Sequence, residues 1–542
     1  MADPVSQLAQ GVADTASALR GDGPIGEISL ERPKKAEFGD YSTNAAMLLA
    51  PNLGQSPRDI AAQLGDALEE RLGGTLERVE VAGPGFLNLF LGDAWFSGAV
   101  GEILAAGDAY GAGDPEGGER INVEFVSANP TGPITVAAGR HAAYGDSLCR
   151  ILSLAGNDVD REYYVNDFGT QIERFAASIR ARAGGEEPPD DGYQGAYVTA
   201  IADAIDGAAD MDSDELGRRG VEIMLESVRA TLERFRVHMD RFSHERALYD
   251  SGAVTAILDR LEECEHVYPL EGAVWLRSTT FGDDKDRVLL RSTGEMTYLA
   301  PDIANHEDKR ARGYDRVIDI WGADHHGYVG RMRAAWQALG GDPDGLELLI
   351  MQLVNLLEGG QRAQMSKRQG EFVSLDDLMD DIGVDATRWF LLQRSHDTTL
   401  DLDLDLARRQ SQDNPVYYAQ YAHARIASIL RKAGPERVRA ALHADVALSS
   451  EQHHPSARAL VKRLLEFPEE VRDAADKRAP HRMTTYVTET AQAFSAFYRD
   501  CKVVGAAEEG ADEDLRIAMC EGTRRVIGRG LDLLGVEAPD EM

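Results

Sequence analysis

The chain has 542 residues, of which 92 are acidic and 57 are basic, and its formal net charge is −35. This length can bury several hydrophobic cores and predicts roughly two to four domains. The sequence shows no N-terminal hydrophobic signal and no long uncharged apolar stretch. That pattern excludes a membrane-spanning protein, and we expect a cytoplasmic protein without a membrane partner.

Arginine greatly outnumbers lysine, because only nine of the 57 basic residues are Lys. An acidic protein that uses Arg in place of Lys is typical of an extreme halophile, where molar salt shortens the Debye length to about 3 Å and weakens long-range repulsion. An ordinary acidic cytoplasmic protein is the alternative. The four cysteines have no CxxC spacing, so neither a structural zinc site nor a disulfide framework is indicated.

Residues 1 to 112 predict a small α+β domain. Helix-like apolar spacing covers 5–20 and 57–72, and strand-like segments cover 79–82 and 86–91. The glycine-rich stretch that follows, up to residue 118, is typical of a linker.

A strand, a loop and a helix are predicted next. An apolar and β-branched run over 121–126 precedes a loop containing Pro130, Gly132 and Pro133, and small residues then enter a helix. Such a junction leaves free backbone N–H groups at the helix N-terminus, where they can receive a phosphate. An ordinary α/β turn with no nucleotide is the alternative.

Strands alternate with helices from 119 to 370, which predicts a parallel α/β sheet. The interval 173–265 is mostly acidic helix and predicts an insertion in that fold. A connection over 371–410 follows, and the pattern over 411–542 is helical to the end.

Residues 123–146 read Val-Glu-Phe-Val-Ser-Ala-Asn-Pro-Thr-Gly-Pro-Ile-Thr-Val-Ala-Ala-Gly-Arg-His-Ala-Ala-Tyr-Gly-Asp. They resemble the nucleotide-binding signature of the arginyl-tRNA synthetases, a class I aminoacyl-tRNA synthetase family whose signature normally contains His-x-Gly-His. Here Thr-Val-Ala-Ala at 135–138 stands in that place. A second family element, Lys-Met-Ser-Lys, is resembled by Gln-Met-Ser-Lys at 364–367.

Further segments resemble the same family along almost the whole chain. They are Gly39–Asn44, Glu162–Ile172, Thr297–Ala304, Trp321–Tyr328, Val384–Phe390, Asn414–Arg425 and Leu534–Met542. The resemblance implies a Rossmann-type catalytic core over 119–370, with an N-terminal α+β domain over 1–112 that contacts the outer corner of tRNA. It also implies a stem-contact connection over 371–410 and an α-helical anticodon-binding bundle over 411–542.

The implied activity is the ATP-dependent attachment of L-arginine to tRNA(Arg), with Mg²⁺ accompanying ATP and a monomer as the expected state. Phosphoryl chemistry of this kind depends on positioned donors and positive charge, so Lys367, Thr135 and His141 are the expected catalytic residues. The resemblance also implies ATP-binding residues. These are Asn129, Pro130, Thr131, Gly132, Thr135, Ala138, Gly139, His325, His326, Met365, Ser366 and Lys367.

Arginine recognition needs carboxylates, because a guanidinium is a planar fork of donors that carboxylates accept in a bidentate way. By resemblance, Tyr298 and Asp302 face the guanidinium, whereas Glu124 and Asn129 hold the α-amino and carboxylate end. An ordinary exposed acid is the alternative for Asp302. The two histidines at 325–326 lack the companions of a zinc site, so no metal site is expected there.

The expected tRNA-binding residues lie in a basic segment between residues 421 and 440, whose net charge is +4 in a chain of −35. They are Arg425, Arg431, Lys432 and Arg437. Basic clustering against an acidic background favours a surface that faces phosphate, and a solvated helix face is the alternative.

The altered signature leaves two hypotheses. In the family, the two histidines hydrogen-bond ATP phosphates, and losing one such donor typically costs about 10²–10³ in rate. Thr135 keeps a hydroxyl, Ala138 keeps nothing, and His141 lies on roughly the same helix face. The chain is then either an active arginyl-tRNA synthetase with a rewired phosphate site or a catalytically impaired paralogue that binds arginine or tRNA as a sensor or interaction module.

Retention of the arginine-site and tRNA-domain segments favours the active enzyme. A class I synthetase for another amino acid is a third interpretation. It has to account for the segment 321–328 and for the pair Tyr298 and Asp302.

Overall fold

The computed structural model describes residues 3–20, 26–362, 373–446, 449 and 451–542. The first domain packs four helices against an antiparallel sheet with strand order β1-β2-β4-β3. Its helices are α1 (Pro4–Leu19), α2 (Ala45–Leu53), α3 (Pro57–Leu72) and α4 (Asp93–Ala106), and its strands are β1 (Leu30–Glu31), β2 (Tyr41–Thr43), β3 (Leu76–Ala82) and β4 (Phe86–Leu91).

Helices α1 and α3 begin where their sequences predict. The side chains of Asp3 and Ser56 accept backbone N–H groups of the first turn, and Pro4 and Pro57 follow them at the first helical position. An N-cap followed by Pro is a favourable start, because the proline lacks an N–H that the helix would leave unpaired. The two-residue and three-residue strands β1 and β2 are too short to show a periodic pattern.

The second region contains the strands that build the catalytic core. They are β5 (Arg120–Glu124), β6 (Asp158–Val165), β7 (Arg241–His244), β8 (Val267–Leu270), β9 (Ala273–Leu276), β10 (Arg287–Leu290), β11 (Arg316–Gly322), β12 (Leu346–Met351), β13 (Val354–Glu358), β14 (Gln361–Arg362) and β15 (Leu400–Asp403).

The helices of this region surround those strands. They are α5 (Val136–Leu154), α6 (Thr170–Ala183), α7 (Ala196–Ala204), α8 (Ser213–Arg234), α9 (Glu245–Asp250), α10 (Ala253–Glu263), α11 (Leu299–Ala311), α12 (Val329–Ala338), α13 (Leu375–Ile382), α14 (Val384–Leu392) and α15 (Leu404–Ala407). The final bundle contains α16 (Pro415–Ala433), α17 (Pro435–His443), α18 (Pro455–Leu465), α19 (Phe467–Asp476), α20 (His481–Asp500) and α21 (Glu513–Leu533).

The central sheet has the order β12-β11-β5-β6-β7, and every neighbouring pair in it is parallel. The chain leaves β5 through α5 to β6 on one side, and β11 later joins β5 on the other side. Strand order therefore reverses at β5, and ligands of open α/β sheets bind beyond the carboxyl ends of the strands at such a point. This architecture confirms the predicted Rossmann-type core.

The interval 173–265 differs from its prediction at one place. Helices α6, α7 and α8 do form an insertion between β6 and β7, but residues 241–244 form strand β7 at the edge of the central sheet. This strand is short and mostly polar, so no apolar run distinguished it from the helical sequence around it. None of the helices in the described ranges is long and apolar enough to cross a membrane.

A buried ion pair joins the core to the end of the chain. The guanidinium of Arg388 on α14 lies 2.5 Å from Asp146 on α5, and both side chains are almost fully buried. Arg388 also donates to the carbonyls of Leu534 and Phe235. Gly535, with φ of +65°, lies against this guanidinium, since an added Cβ would come within 2.2 Å of it. The C-terminal turn is thereby fixed to the catalytic core.

We expect Asp146→Asn to lower the stability of the protein by about 3–5 kcal/mol, because it leaves Arg388 buried with its charge uncompensated. Urea denaturation followed by circular dichroism measures this change. Asp532→Asn is the matched control: Asp532 pairs with Arg150 at 3.3 Å but is 55% exposed, and its loss should change stability by less than about 0.5 kcal/mol. Equal effects of the two variants would contradict the assignment.

Candidate active site

A cavity of about 580 Å³ lies at the carboxyl edge of the central sheet. The ends of β5, β11 and β12 form its floor, and the first turns of α5 and residues of α11 form its walls. The cavity lies where strand order reverses. Ligands of open α/β sheets bind at such a point, so a ligand is expected here.

A fully buried lysine organises the floor of the cavity. The ammonium of Lys309 on α11 lies 2.6 Å from Glu124 at the end of β5 and 2.8 Å from Asp319 on β11. His306, one turn earlier on α11, contacts the other oxygen of Asp319 at 2.7 Å. Burial alone would lower the pKa of Lys309, but the neighbouring carboxylates raise it. Lys309 therefore remains charged and ties α11 to both central strands.

Glu124 is held in one orientation by three donors. One oxygen accepts from the Ser127 hydroxyl at 2.9 Å, and the other accepts from Asn305 at 3.1 Å and from Lys309. Burial raises its pKa, and Asp319 raises it further against the opposing effect of Lys309. One lysine is thus shared between two carboxylates, and His306 pairs with the second of them, Asp319.

A second carboxyl, that of Asp302, faces the cavity. It accepts a hydrogen bond of 2.6 Å from the hydroxyl of Tyr328. Burial raises the pKa of Asp302 to about 6, while Tyr328 and His306 oppose this shift. The predicted arginine-site acid therefore lies in the cavity wall and is not an ordinary exposed acid.

Glu245, the first residue of α9, is a further acid that sequence reasoning missed. Its side chain is buried, and among the described residues no hydrogen bond or ion pair reaches its carboxylate. Burial, together with the charges of Asp302 and Asp167, raises its pKa to about 8. In a chain with 92 acidic residues, nothing in the local sequence distinguishes this one.

Like charges meet at this cavity. Glu124 and Asp302 line it, whereas Glu245 is not among its lining residues. The charge of Glu124 adds to the raised pKa of Asp302, and the charge of Asp302 adds to the raised pKa of Glu245. Within the described ranges, neither Lys nor Arg lines this cavity. Carboxyls with raised pKa values beside a cavity regain their negative charge when a cationic ligand arrives.

Backbone strain marks the loop that follows β5. Val126 and Ser127 have φ values of +70° and +37°, a region that side chains other than glycine rarely adopt. The amide of Ser127 donates to the carbonyl of Phe125, and its hydroxyl bridges Glu124 and the amide of Tyr164. Strain that surrounding contacts hold in place is typical of functional sites.

The N-terminus of α5 is partly occupied by the protein itself. Thr135 is the N-cap, and its hydroxyl accepts the N–H of Ala138 at 3.3 Å. The N–H of Val136 donates to the carbonyl of Val373 at 3.1 Å. Two of the first amide donors are therefore already paired, and fewer remain for a phosphate than the sequence alone predicts.

His141 lines the cavity, but its chemistry differs from a phosphate donor. Burial lowers its pKa to about 4, while a hydrogen bond with the backbone of Ile320 opposes that shift. The ring is therefore neutral at pH 7, and a neutral imidazole carries one N–H and no positive charge. It is a weaker partner for a phosphate than the histidinium that the sequence alone would allow.

Asn129 borders two cavities, because a second one of about 750 Å³ lies on the other face of the signature loop. Thr131, Gly132 and Thr135 line this second cavity together with residues of the insertion. The carbonyl of Thr131 accepts from the hydroxyl of Tyr197 at 2.7 Å, and Gly132 lies beneath that tyrosine.

Other predicted nucleotide residues lie in different surroundings. Gly139 is packed against Leu375, whose side chain lies 2.6 Å from the position of an added Cβ, and Pro130 is buried. Ala138 and His325 line the first cavity, whereas His326 is exposed and does not contribute to its lining. Three predicted residues lie outside the described ranges. These are Met365, Ser366 and Lys367.

Tyr298 does not join Asp302 in the cavity wall. It is the N-cap of α11, and its side chain is 77% exposed. The rings of Tyr164 and Tyr328 line the cavity instead. Both lie in segments that carry the family resemblance, although sequence reasoning did not single them out.

The predicted tRNA-binding residues share the surface of the helical bundle. Arg425 stacks over the ring of Tyr421 at 4.6 Å and lies 5.5 Å from the ring centre of Tyr498. Arg431 and Arg437 are partly neutralised, because they pair with acidic residues at the C-terminus and on α21. Lys432 is exposed.

Three family models match the chain. The model described as "Arginyl tRNA synthetase N terminal domain" matches residues 6–91, "tRNA synthetases class I (R), catalytic domain" matches 206–426, and "DALR anticodon binding domain" matches 419–542. The altered signature at 135–138 lies between the first two matched ranges.

Relatives match the chain over nearly its full length. It is 46% identical over 531 residues to the arginine–tRNA ligase of Frankia alni, covering 95% of each protein. It is 44% identical over 541 residues to the arginine–tRNA ligase of Bacillus subtilis, covering 97% of this chain and 96% of that one. The structure of Thermus thermophilus arginyl-tRNA synthetase has the same fold, with a TM-score of 0.76 at 23% identity and 99% coverage of both chains.

We expect Glu245→Gln to stabilise the ligand-free protein increasingly as pH rises from about 5 to about 8. A carboxyl whose folded pKa is raised loses its contribution to stability as pH rises through that pKa, here about 8. The amide has no charge to lose. Thermal melting across this pH range measures the difference, and Glu173→Gln on the insertion helix is the exposed control. If the melting temperatures of wild type and Glu245→Gln change with pH in parallel, the raised pKa of Glu245 is refuted.

Proposed function

Because the chain belongs to the arginyl-tRNA synthetase family, we propose that it activates L-arginine with ATP and transfers it to tRNA(Arg). The observation that carries this proposal is the acidic cavity at the carboxyl edge of the central sheet. Burial raises the pKa of Asp302, which lines the cavity, and burial together with the charge of Asp302 raises the pKa of Glu245 beside it. A guanidinium placed between them relieves both effects.

Glu124 and Asn129 are assigned to the other end of the amino acid. Glu124 is fixed by Ser127, Asn305 and Lys309, so its carboxylate is pre-oriented for the α-ammonium. Asn129 offers an amide to the carboxylate from the loop after β5. Pre-orientation of this kind reduces the ordering cost of binding and of reaching the reactive geometry.

The ATP site is assigned to the signature loop and to Lys367. The cavity walls at Ala138 and His325 present small or planar side chains, and Thr135 offers a hydroxyl near the start of α5. Positive charge for the phosphates is left to Lys367 and to Mg²⁺, since the described lining supplies neither Lys nor Arg. His141, as a neutral acceptor, suits a hydroxyl or amino group of the nucleotide.

The helical bundle is assigned to tRNA. The rings of Tyr417 and Tyr421 stack at 6.3 Å with an interplanar angle of 7°, and Arg425 continues the row towards Tyr498. Aromatic rings and arginine planes are the surfaces on which unpaired bases stack. This mode of binding depends less on salt than phosphate contacts do, which suits a halophilic cytoplasm.

A non-catalytic relative that binds arginine or tRNA is the second candidate. It is favoured by the loss of both signature histidines and by the internal pairing of the α5 N-terminus. Transfer of labelled arginine to tRNA(Arg) at multimolar KCl, with ATP and Mg²⁺, separates the two. Charging supports the enzyme, whereas arginine binding without charging supports the sensor.

We expect arginine binding to release protons at pH 7 and to strengthen as pH rises from 6 to 8.5. The cation favours the ionised forms of Glu245 and Asp302, whose pKa values are raised to about 8 and about 6. Calorimetry in phosphate and in Tris, which have different ionisation enthalpies, measures the protons. Citrulline is the neutral isostere and should not bind measurably. Citrulline binding as tight as arginine would exclude guanidinium recognition.

We expect Lys367→Ala to lower the rate of arginine activation by about 10²–10³, because it removes a donor to the reacting phosphates. The KM for arginine should change little, since the acidic cavity is untouched. Single-turnover formation of arginyl-adenylate in the presence of tRNA(Arg) measures this. Lys285→Ala, at an exposed lysine, is the control, and an equal loss in both variants would remove Lys367 from the mechanism.

A further inference from the structure

Arg478, in the turn between α19 and α20, contacts the catalytic core. Its φ is +49°, so the backbone adopts a conformation that arginine rarely takes. Its side chain is largely buried, with 14% of its surface exposed. A strained backbone held by tertiary contacts indicates that the position of this residue is tightly determined.

The guanidinium of Arg478 contacts strand β12. It forms a two-pronged ion pair with Glu347, with distances of 2.9 and 2.8 Å. Glu347 also accepts from Arg316 on β11 at 2.9 Å, and Arg316 in turn pairs with Glu119. Burial alone would raise the pKa of Glu347, but Arg478 and Arg316 lower it. The bundle is thus fixed to the two strands whose ends form the cavity floor.

The backbone of Arg478 makes a second connection. Its carbonyl accepts a short hydrogen bond from the hydroxyl of Tyr144 on α5. The same hydroxyl lies 3.0 Å from the ring nitrogen of His396. The carbonyl of His396 accepts the N–H of Gln352 at 2.7 Å. Two hydrogen-bonded steps therefore lead from Tyr144 to the loop after β12.

Arg140, one turn before Tyr144 on α5, donates hydrogen bonds to the same loop after β12. Its guanidinium donates to the carbonyl of Gln352 at 2.7 Å and to those of Ser395 and Thr398, each at 2.9 Å. No carboxylate within the described ranges pairs with this buried arginine. Met351, Gln352 and Leu353 all line the cavity. The hydrogen bonds of Arg140 therefore fix the position of residues 351–353 in the cavity wall.

We infer that Arg478 is a positioning residue through which the tRNA-binding bundle sets the cavity wall at residues 351–353. The inference rests on the proposed function. Strand β12 connects Glu347 to this wall, and His396 connects Tyr144 to it. Both contacts of Arg478 therefore lead to residues 351–353. Any shift of the α19–α20 turn when tRNA binds changes the geometry of arginine and ATP, because interfaces packed this closely move as units.

The test compares Arg478→Ala, Tyr144→Phe and the double variant in the full chain. We expect Arg478→Ala to lower kcat for charging about 10- to 100-fold, with the KM for tRNA(Arg) unchanged within about twofold. Tyr144→Phe removes one hydroxyl and tests the same route with little risk to folding. Arg478→Ala removes the contact with Glu347, and Tyr144→Phe removes the contact with the carbonyl of residue 478. Because both contacts lead to residues 351–353, their effects on kcat should be clearly non-additive. Lys477→Ala, an adjacent exposed residue that pairs with Asp473, is the control and should retain kcat.

The outcomes separate positioning from other roles. A loss confined to the KM for tRNA would place Arg478 on the tRNA surface and overturn the inference, as would additive effects of the two substitutions. Arginine affinity, measured by calorimetry with and without tRNA, supplies a readout independent of charging. Wild type should show a tRNA-dependent change in that affinity and Arg478→Ala should lose it. If wild type binds arginine but does not charge tRNA, the proposed enzyme fails while this comparison still decides the role of Arg478.

Discussion

The buried ammonium of Lys309 is the interaction on which the site depends. It lies between Glu124 on β5 and Asp319 on β11, at distances of 2.6 and 2.8 Å. These two strands meet where the order of the parallel sheet reverses, and the ammonium holds α11 against both. Burial of a lysine is costly unless its charge is fully compensated. Two carboxylates and a fully enclosed position satisfy that condition, and molar salt does not weaken a pair that ions cannot approach.

The same arrangement leaves the described lining of the cavity without a Lys or Arg side chain. Lys309 and His306 together lower the pKa of Asp319, whereas burial raises that of Glu124 despite Lys309. Asp302 and Glu245 add two further carboxyls with raised pKa values, and neither forms an ion pair with a Lys or Arg within the described ranges. The protein therefore keeps acids close together at a cost to its own stability. In the proposed function, a cationic ligand removes that cost on binding, which couples recognition to charge and gives specificity against neutral analogues.

The sequence predicted the helices and strands of the fold more completely than the residues that line the cavity. Long periodic segments such as α3 and the strand–loop–helix at β5 were predictable, because apolar spacing and caps are local properties. Glu245 was not, since its importance comes from burial beside Asp302, a neighbour more than fifty positions away in the chain. His141 lines the cavity, but the burial that lowers its pKa and keeps its ring neutral comes from the folded chain and not from the local sequence. Tyr298 matched a family pattern, and its exposure became visible only in the folded chain.

In the proposed function, the segment Thr-Val-Ala-Ala at 135–138 leaves most phosphate donors to other parts of the molecule. Thr135 retains a hydroxyl and caps α5 with it, and Ala138 leaves a small side chain in the cavity wall. Transition-state charge can still be stabilised if donors come from elsewhere, because electrostatic stabilisation depends on where donors lie and not on which segment carries them. Arg478 connects the bundle to strand β12 and to α5. In the proposed enzyme, weak donors on α5 make accurate placement of the substrates more important, and for that reason we expect catalysis to depend on this connection.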